Sequence, residues 1–176
     1  MKITAKKIKS LKACDDGYEW YIKNGSNNLL DTLLRVNVVN PLWARWLFVN
    51  LMNVKQKREI AIFCAEQVIN IFEKKYPNDK RPRNAIKAAK AVLKNNTAKN
   101  RKLAAAAAHA AYAAYVAAAY ADADAAAYAA YAAYAAAAYA DAAYAANAAA
   151  AYAVKKALQE KIIRKAVKIL DRKKNK

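Results

Sequence analysis

From residue 104 to residue 153 the chain is written almost entirely in two letters: 35 of those 50 residues are alanine and 9 are tyrosine. Alanine has the highest intrinsic helix propensity, and neither glycine nor proline occurs after Pro82, so nothing in the backbone chemistry interrupts a helix here. The block is therefore expected to be helical. One straight helix from 104 to 170 would be about 100 Å long, against a radius of gyration of roughly 16 Å for a compact chain of this size. The chain should fold back on itself.

An internal repeat suggests where. "AAYAAYVAAAYAD" (110–122) returns nineteen residues later as "AAYAAYAAAAYAD" (129–141), changed only from Val116 to Ala135. Nineteen residues rotate a helix by five turns plus about 100°, so in one straight helix the copies would face different ways. In separate helices each can present the same face. Both copies end in aspartate, a good N-cap, which predicts helices near 98–121, 123–140 and 142–172 with turns at Asp122 and Asp141. Alanine lets helix axes approach to the low end of about 8–10 Å. Tyrosines then belong at the seams with their hydroxyls toward water.

The rest of the chain also reads as helix. Thr4 can cap "AKKIKSL", Asp15 or Asp16 can cap "DGYEWYIKN", and Gly25 is placed to end it. Asn40 followed by Pro41 opens "LWARWLFVNLM", with Leu42, Trp43, Trp46, Leu47 and Leu51 at helical spacing. Asn53 can cap 54–75, whose stripe is Ala61, Cys64, Ala65, Val68, Ile69 and Phe72. "YPNDKRPR" is a loop, and Pro82 starts the next helix, with Ile86, Ala89, Val92 and Leu93 inward. Thr97 can cap the Ala-rich part. Leu158, Ile162, Ala166, Ile169 and Leu170 form an amphipathic stripe expected to pack back on the N-terminal helices. The fold class is all-α, a multi-helix bundle. Its two parts, 1–103 (basic) and 104–176 (Ala/Tyr-rich helices and the amphipathic C-terminal helix), form one continuous domain.

The formal net charge is +19, unevenly spread. Residues 104–154 carry no lysine or arginine and 3 acidic residues, while 53–103 carry 14 basic and 4 acidic ones. A basic first part and a basic tail favour an anionic partner, such as nucleic acid, a nucleotide or an acidic protein; the plain alternative is solubilisation of an alanine-rich chain. Cys14 and Cys64 match no metal spacing and read as thiols of a reducing cytoplasm. "MKITAKKIKSLK" lacks the apolar core of a signal peptide. Alanine is only marginally apolar and the tyrosines form no end belts, so no membrane partner is expected.

No catalytic constellation is legible, and the chain reads as a non-enzyme without metal or cofactor. Asp122 and Asp124 stand two apart, which puts them on different helix faces and favours capping over acid–base work. Trp20, Trp43 and Trp46 read as core anchors rather than a ligand cage. "KRPR" (80–83) places cations at a helix start, where phosphate can bind, or else marks a solvated turn. His109, the only histidine, is a polar position on an Ala-rich helix or a ligand hydrogen-bonder.

Two stretches resemble known sequences. "LKACDDGYEW" (11–20) is similar to a motif near the start of small phage and mobile-element proteins. "REIAIFCAEQVINIFEKKYPNDKRPRNAIKAAKAVL" (58–93) resembles the Imm-5-like immunity protein family through Tyr76, Pro77, Asp79, Arg81, Pro82, Arg83, Ala85, Ile86, Ala88 and Ala89. The Ala-rich C-terminal region with His109 fits that likeness. The resemblance implies a helical, non-enzymatic protein linked to toxin neutralisation. The tyrosine content and strong positive charge depart from the pattern, and a phage setting suits an anti-defence role.

The leading reading is thus an immunity or phage anti-defence binding protein in the bacterial cytoplasm. It sequesters a toxin, a host-defence protein with an acidic surface, or an anionic nucleotide signal. Lys80, Arg81, Arg83, Arg101 and Lys102 are the candidates for holding negative charge. His109, Tyr112 and Tyr115 are the candidates for stacking or hydrogen bonding. The alternatives are a nucleic-acid-binding basic helical protein and a structural protein that self-assembles into homo-oligomers through Ala/Tyr faces.

Overall fold

The computed structural model describes residues 1–121, 124–138 and 156–172. These form nine α-helices and, outside them, one isolated antiparallel bridge between Lys2 and Asn28. The helices are α1 (Ala5–Ser10), α2 (Asp15–Asn24), α3 (Leu29–Val39), α4 (Pro41–Leu51), α5 (Val54–Lys75), α6 (Arg81–Lys94), α7 (Ala98–Tyr120), α8 (Asp124–Ala138) and α9 (Lys156–Asp171). The all-α class is as expected. Two compact units divide at Met52/Asn53 and Lys155/Lys156 rather than at residues 103/104, because α6 packs on α7 and α8 and holds the two sides of that expected boundary together.

The first unit comprises residues 1–52 and 156–176. Its helix starts are written locally. Thr4 accepts from the Lys7 amide, Asn28 from the amides of Leu30 and Asp31, and Asn40 from those of Leu42 and Trp43, with Pro41 opening α4. α2 departs from expectation: Cys14, not an aspartate, is its N-cap residue, and Asp15 and Asp16 lie in the first turn, where they suit the helix dipole. Gly25 ends α2 in extended backbone, not the left-handed form. It is needed for space, since a Cβ there would lie 2.5 Å from the Tyr21 carbonyl oxygen. α9 packs on α3 and α4, burying Ile162, Ile163, Ala166, Ile169 and Leu170, and Asn37 of α3 donates to Gln159 at 3.1 Å. The inward face of α4 is Ala44, Leu47 and Phe48; Leu42 is 59% exposed, and none of Trp20, Trp43 and Trp46 is buried. All three tryptophans are half-buried rather than fully enclosed.

The second unit comprises residues 53–155, described through α5 to α8. Asn53 and Gln56 form a reciprocal capping box at α5, and Thr97 accepts from the Asn100 amide at α7. α5 and α6 run antiparallel, shown by ion pairs Glu73–Arg83 and Glu66–Lys90, in which one number falls as the other rises. α7 buries a single stripe of alanines: Ala104, Ala108, Ala111, Ala114 and Ala118. α8 packs on α5, α6 and α7, and Ala126, Ala127, Ala129, Ala130, Ala132, Ala133, Ala135, Ala136 and Ala137 are all buried. Small side chains on nearly every face let the three neighbouring helices approach α8 closely. The helix does break between the repeat copies, since α7 ends at Tyr120 and α8 begins at Asp124. The expected turn residues Asp122 and Asp141 lie outside the described residues.

Candidate functional site

The loop cations sit at the α5–α6 turn, and each already has an oxygen partner. Asp79 accepts from the Arg81 amide and Nε at 3.0 Å each and from its Nη2 at 2.7 Å. Arg83 donates through Nε to Glu73 Oε1 at 2.8 Å, through Nη2 to Glu73 Oε2, and through Nη2 to Asn70 at 3.4 Å. Lys80 Nζ donates to the Pro77 carbonyl at 2.6 Å. These bonds hold both carboxyls below their usual range: the Arg83 hydrogen bond is the main cause at Glu73, and the Arg81 hydrogen bond at Asp79. Both guanidiniums are correspondingly raised. With Tyr76 packed on Phe72 at 5.1 Å between ring centres, "YPNDKRPR" clamps the α5–α6 hairpin.

The other five candidates all lie on α7, between residues 101 and 115. Arg101, Lys102, His109 and Tyr112 are exposed and Tyr115 is half-buried, because the alanine stripe takes the inward face. α6 separates this group's basic end from the loop: its 14 residues span about 21 Å. Five of the eight thus lie on α7, spread over about 21 Å from Arg101 to Tyr115, and Lys80, Arg81 and Arg83 lie where the α5–α6 loop enters α6. Arg101 Nη1 donates to the Asn96 carbonyl at 3.0 Å and its side-chain oxygen at 3.3 Å. Arg58 of α5 belongs to this end as well. Its burial, and then the charge of Arg101, lower its pKa. Nothing in the local sequence pairs these two arginines; only the packing of helices does.

Tyr112 and Tyr115 join Tyr131 and Tyr134 of α8 in a closed ring of four. Across the helices, Tyr112–Tyr134 and Tyr115–Tyr131 are 5.3 and 5.2 Å apart between ring centres, tilted by 53° and 55°. Along the helices, Tyr112–Tyr115 and Tyr131–Tyr134 are both 5.6 Å apart, tilted by 44° and 43°. The matching values mean that the two repeat copies are related by a local pseudo-twofold axis, with α7 and α8 antiparallel. Tilted pairs at this spacing suit aromatic quadrupoles. The one difference between the copies also follows. Ala135 is buried in the crowded α8, whereas its counterpart Val116 is only half-buried on α7. Of the ring, Tyr112 is 45% exposed; of the other tyrosines of these helices, Tyr120 and Tyr128 are 88% and 43% exposed.

A family model described as "Imm-5 like putative immunity protein" matches residues 50–174. The chain belongs to this family. No curated protein and no solved structure matches it. The matched span of this Imm-5-like chain takes in all eight candidate residues, the hairpin clamp and the tyrosine ring. An immunity protein binds a partner such as a toxin, so a surface for contact is what its geometry has to supply. α7 is long and apolar enough by length and composition to cross a membrane; here its alanine stripe is packed on α6 and α8.

Proposed function

We propose that this Imm-5-like chain is a non-enzymatic immunity or anti-defence protein that neutralises a partner by sequestering it in the bacterial cytoplasm. The outer face of α7 carries the reading. It sets Arg101 and Lys102 at one end and His109, Tyr112 and the tyrosine ring along its length, on a background of alanine without carboxylates until Asp122. Tyrosine supplies large, rigid contact area at low entropic cost, and arginine and tyrosine are enriched in interface cores. The partner is an acidic protein surface, a toxin or host-defence effector. The charge of Arg101 is felt at Arg58, which supports a second reading, an anionic nucleotide signal bound at this basic end.

Calorimetry with effector proteins encoded near the gene, and with cyclic and linear nucleotides, tests both. A saturable complex is expected that weakens at least about thirty-fold in Tyr112→Ser with Arg101→Glu, the scale of an interface hot spot. A complex untouched by these changes and by Lys102→Glu would place the contact elsewhere and overturn the site.

A further inference from the structure

The first unit holds a cavity of about 380 Å³, within the usual range of about 300–1,000 Å³ for small-ligand pockets. All three tryptophans of the chain, Trp20, Trp43 and Trp46, line it. Every lining residue lies between Ile8 and Leu47, before the span matched by the family, so the family assigns this cavity nothing. Gly17 keeps it open on one side: a Cβ there would come within 3.2 Å of Cys14 Sγ and 3.8 Å of the Trp43 ring.

The polar atoms around it narrow the ligand chemistry. Tyr21 and Thr32 line the cavity, but their hydroxyls are engaged within the fold. Tyr21 donates to the carbonyls of Ile3 and Ser26 at 3.1 and 3.3 Å, and Thr32 donates to the Ser26 carbonyl at 2.9 Å while accepting its amide at 3.0 Å. Lys12 is the only charged residue of the lining. It closes α1 with φ of 59°, the only non-glycine residue with positive φ among those described, and is exposed. Such backbone is uncommon outside glycine and recurs at ligand sites. Tryptophan faces alone would also suit a quaternary cation, but an ammonium in the same lining opposes one.

We propose that this cavity binds a small amphipathic anion, its apolar or aromatic body among the three tryptophans and its acidic head on the Lys12 ammonium. The proposal is independent of the α7 surface.

Two probes with one ring system separate the two halves of the claim: 1-anilinonaphthalene-8-sulfonate, and N-phenyl-1-naphthylamine, which lacks the sulfonate. The full chain should bind the sulfonate saturably, one per chain, with transfer of tryptophan emission to the probe. Lys12→Gln should weaken the sulfonate about five-fold, the size of a solvent-exposed ion pair, and leave the neutral probe within about two-fold. Trp43→Ala should weaken both. Should that variant fail to fold, the unaltered protein supplies the check: Cys14 is exposed and Cys64 buried, so thiol labelling reports on Cys14, and saturating sulfonate probe should slow it several-fold. Absence of saturable transfer, equal losses for both probes in Lys12→Gln, or unslowed Cys14 labelling would each overturn the proposal.

Discussion

Arg83 illustrates why a cation in a loop is not yet a binding residue. Its guanidinium spans from α6 to Glu73 of α5 in a two-pronged contact, with both side chains about a quarter to a third exposed (33% and 23%). Such a pair in partial solvent is worth on the order of 1 kcal/mol. The hydrogen bond from Arg83 lowers the Glu73 pKa, and that fixes the sign of its pH dependence. The contribution is complete above the carboxyl's unfolded value of about 4.3, and it is lost as pH falls through the lower folded value. Arg83→Met should therefore destabilise the protein by about 1 kcal/mol at pH 7, measured by urea denaturation, and by much less at pH 3. An equal loss at both pH values would mean that packing of the arginine stem, not the ion pair, is what Arg83 supplies.

At the scale of elements, what could be read in advance was what is encoded locally. Thr4, Asn40, Asn53 and Thr97 cap helices because an N-cap needs only its own next three amides. The α5 stripe holds because period 3.6 is a property of one helix. What could not be read depends on a second element. Arg83 found Glu73 once the antiparallel α5–α6 register was set, whereas Arg81 pairs locally with Asp79, two residues before it. Of the stripe read on α4, Leu47 is buried, Trp43 and Trp46 are half-buried and Leu42 is exposed, while Ala44 and Phe48, outside that stripe, also face inward. Sequence placed tyrosines at helix seams, but the ring of four required knowing which copy meets which. α8 carries the sharpest consequence. Ala133 has no exposed surface in a helix packed on three others, while Ala113 of α7 is exposed. Leucine and alanine differ little in helix propensity, so Ala113→Leu should change stability by no more than about 0.5 kcal/mol. Ala133→Leu should cost roughly 1–3 kcal/mol or more through overpacking. Thermal denaturation followed by far-ultraviolet circular dichroism compares the two; similar melting temperatures would mean that α8 is not tightly enclosed.

At the scale of the whole molecule, the first unit is discontinuous: its N-terminal helices wait for α9, more than a hundred residues later in the chain. α9 contributes Ile162, Ile163, Ile169 and Leu170, all buried. At about 1.5–3 kcal/mol for each large aliphatic side chain, they supply roughly 6–12 kcal/mol, comparable with the entire net stability of a typical domain, about 5–15 kcal/mol. A chain ending at Lys155 should therefore lose the first unit. The second keeps α5 to α8 and their mutual packing, which α9 does not complete. The spectroscopy separates the units, because Trp20, Trp43 and Trp46 all belong to the first, while the alanine helices of the second dominate helical dichroism. In the truncated protein, tryptophan emission in plain buffer should match that of the denatured full chain, and denaturant should change it little. The far-ultraviolet helical signal should persist and melt cooperatively. Native tryptophan emission after truncation would show that α1 to α4 hold together without α9, and that the burial of its aliphatic side chains is not what closes the first unit.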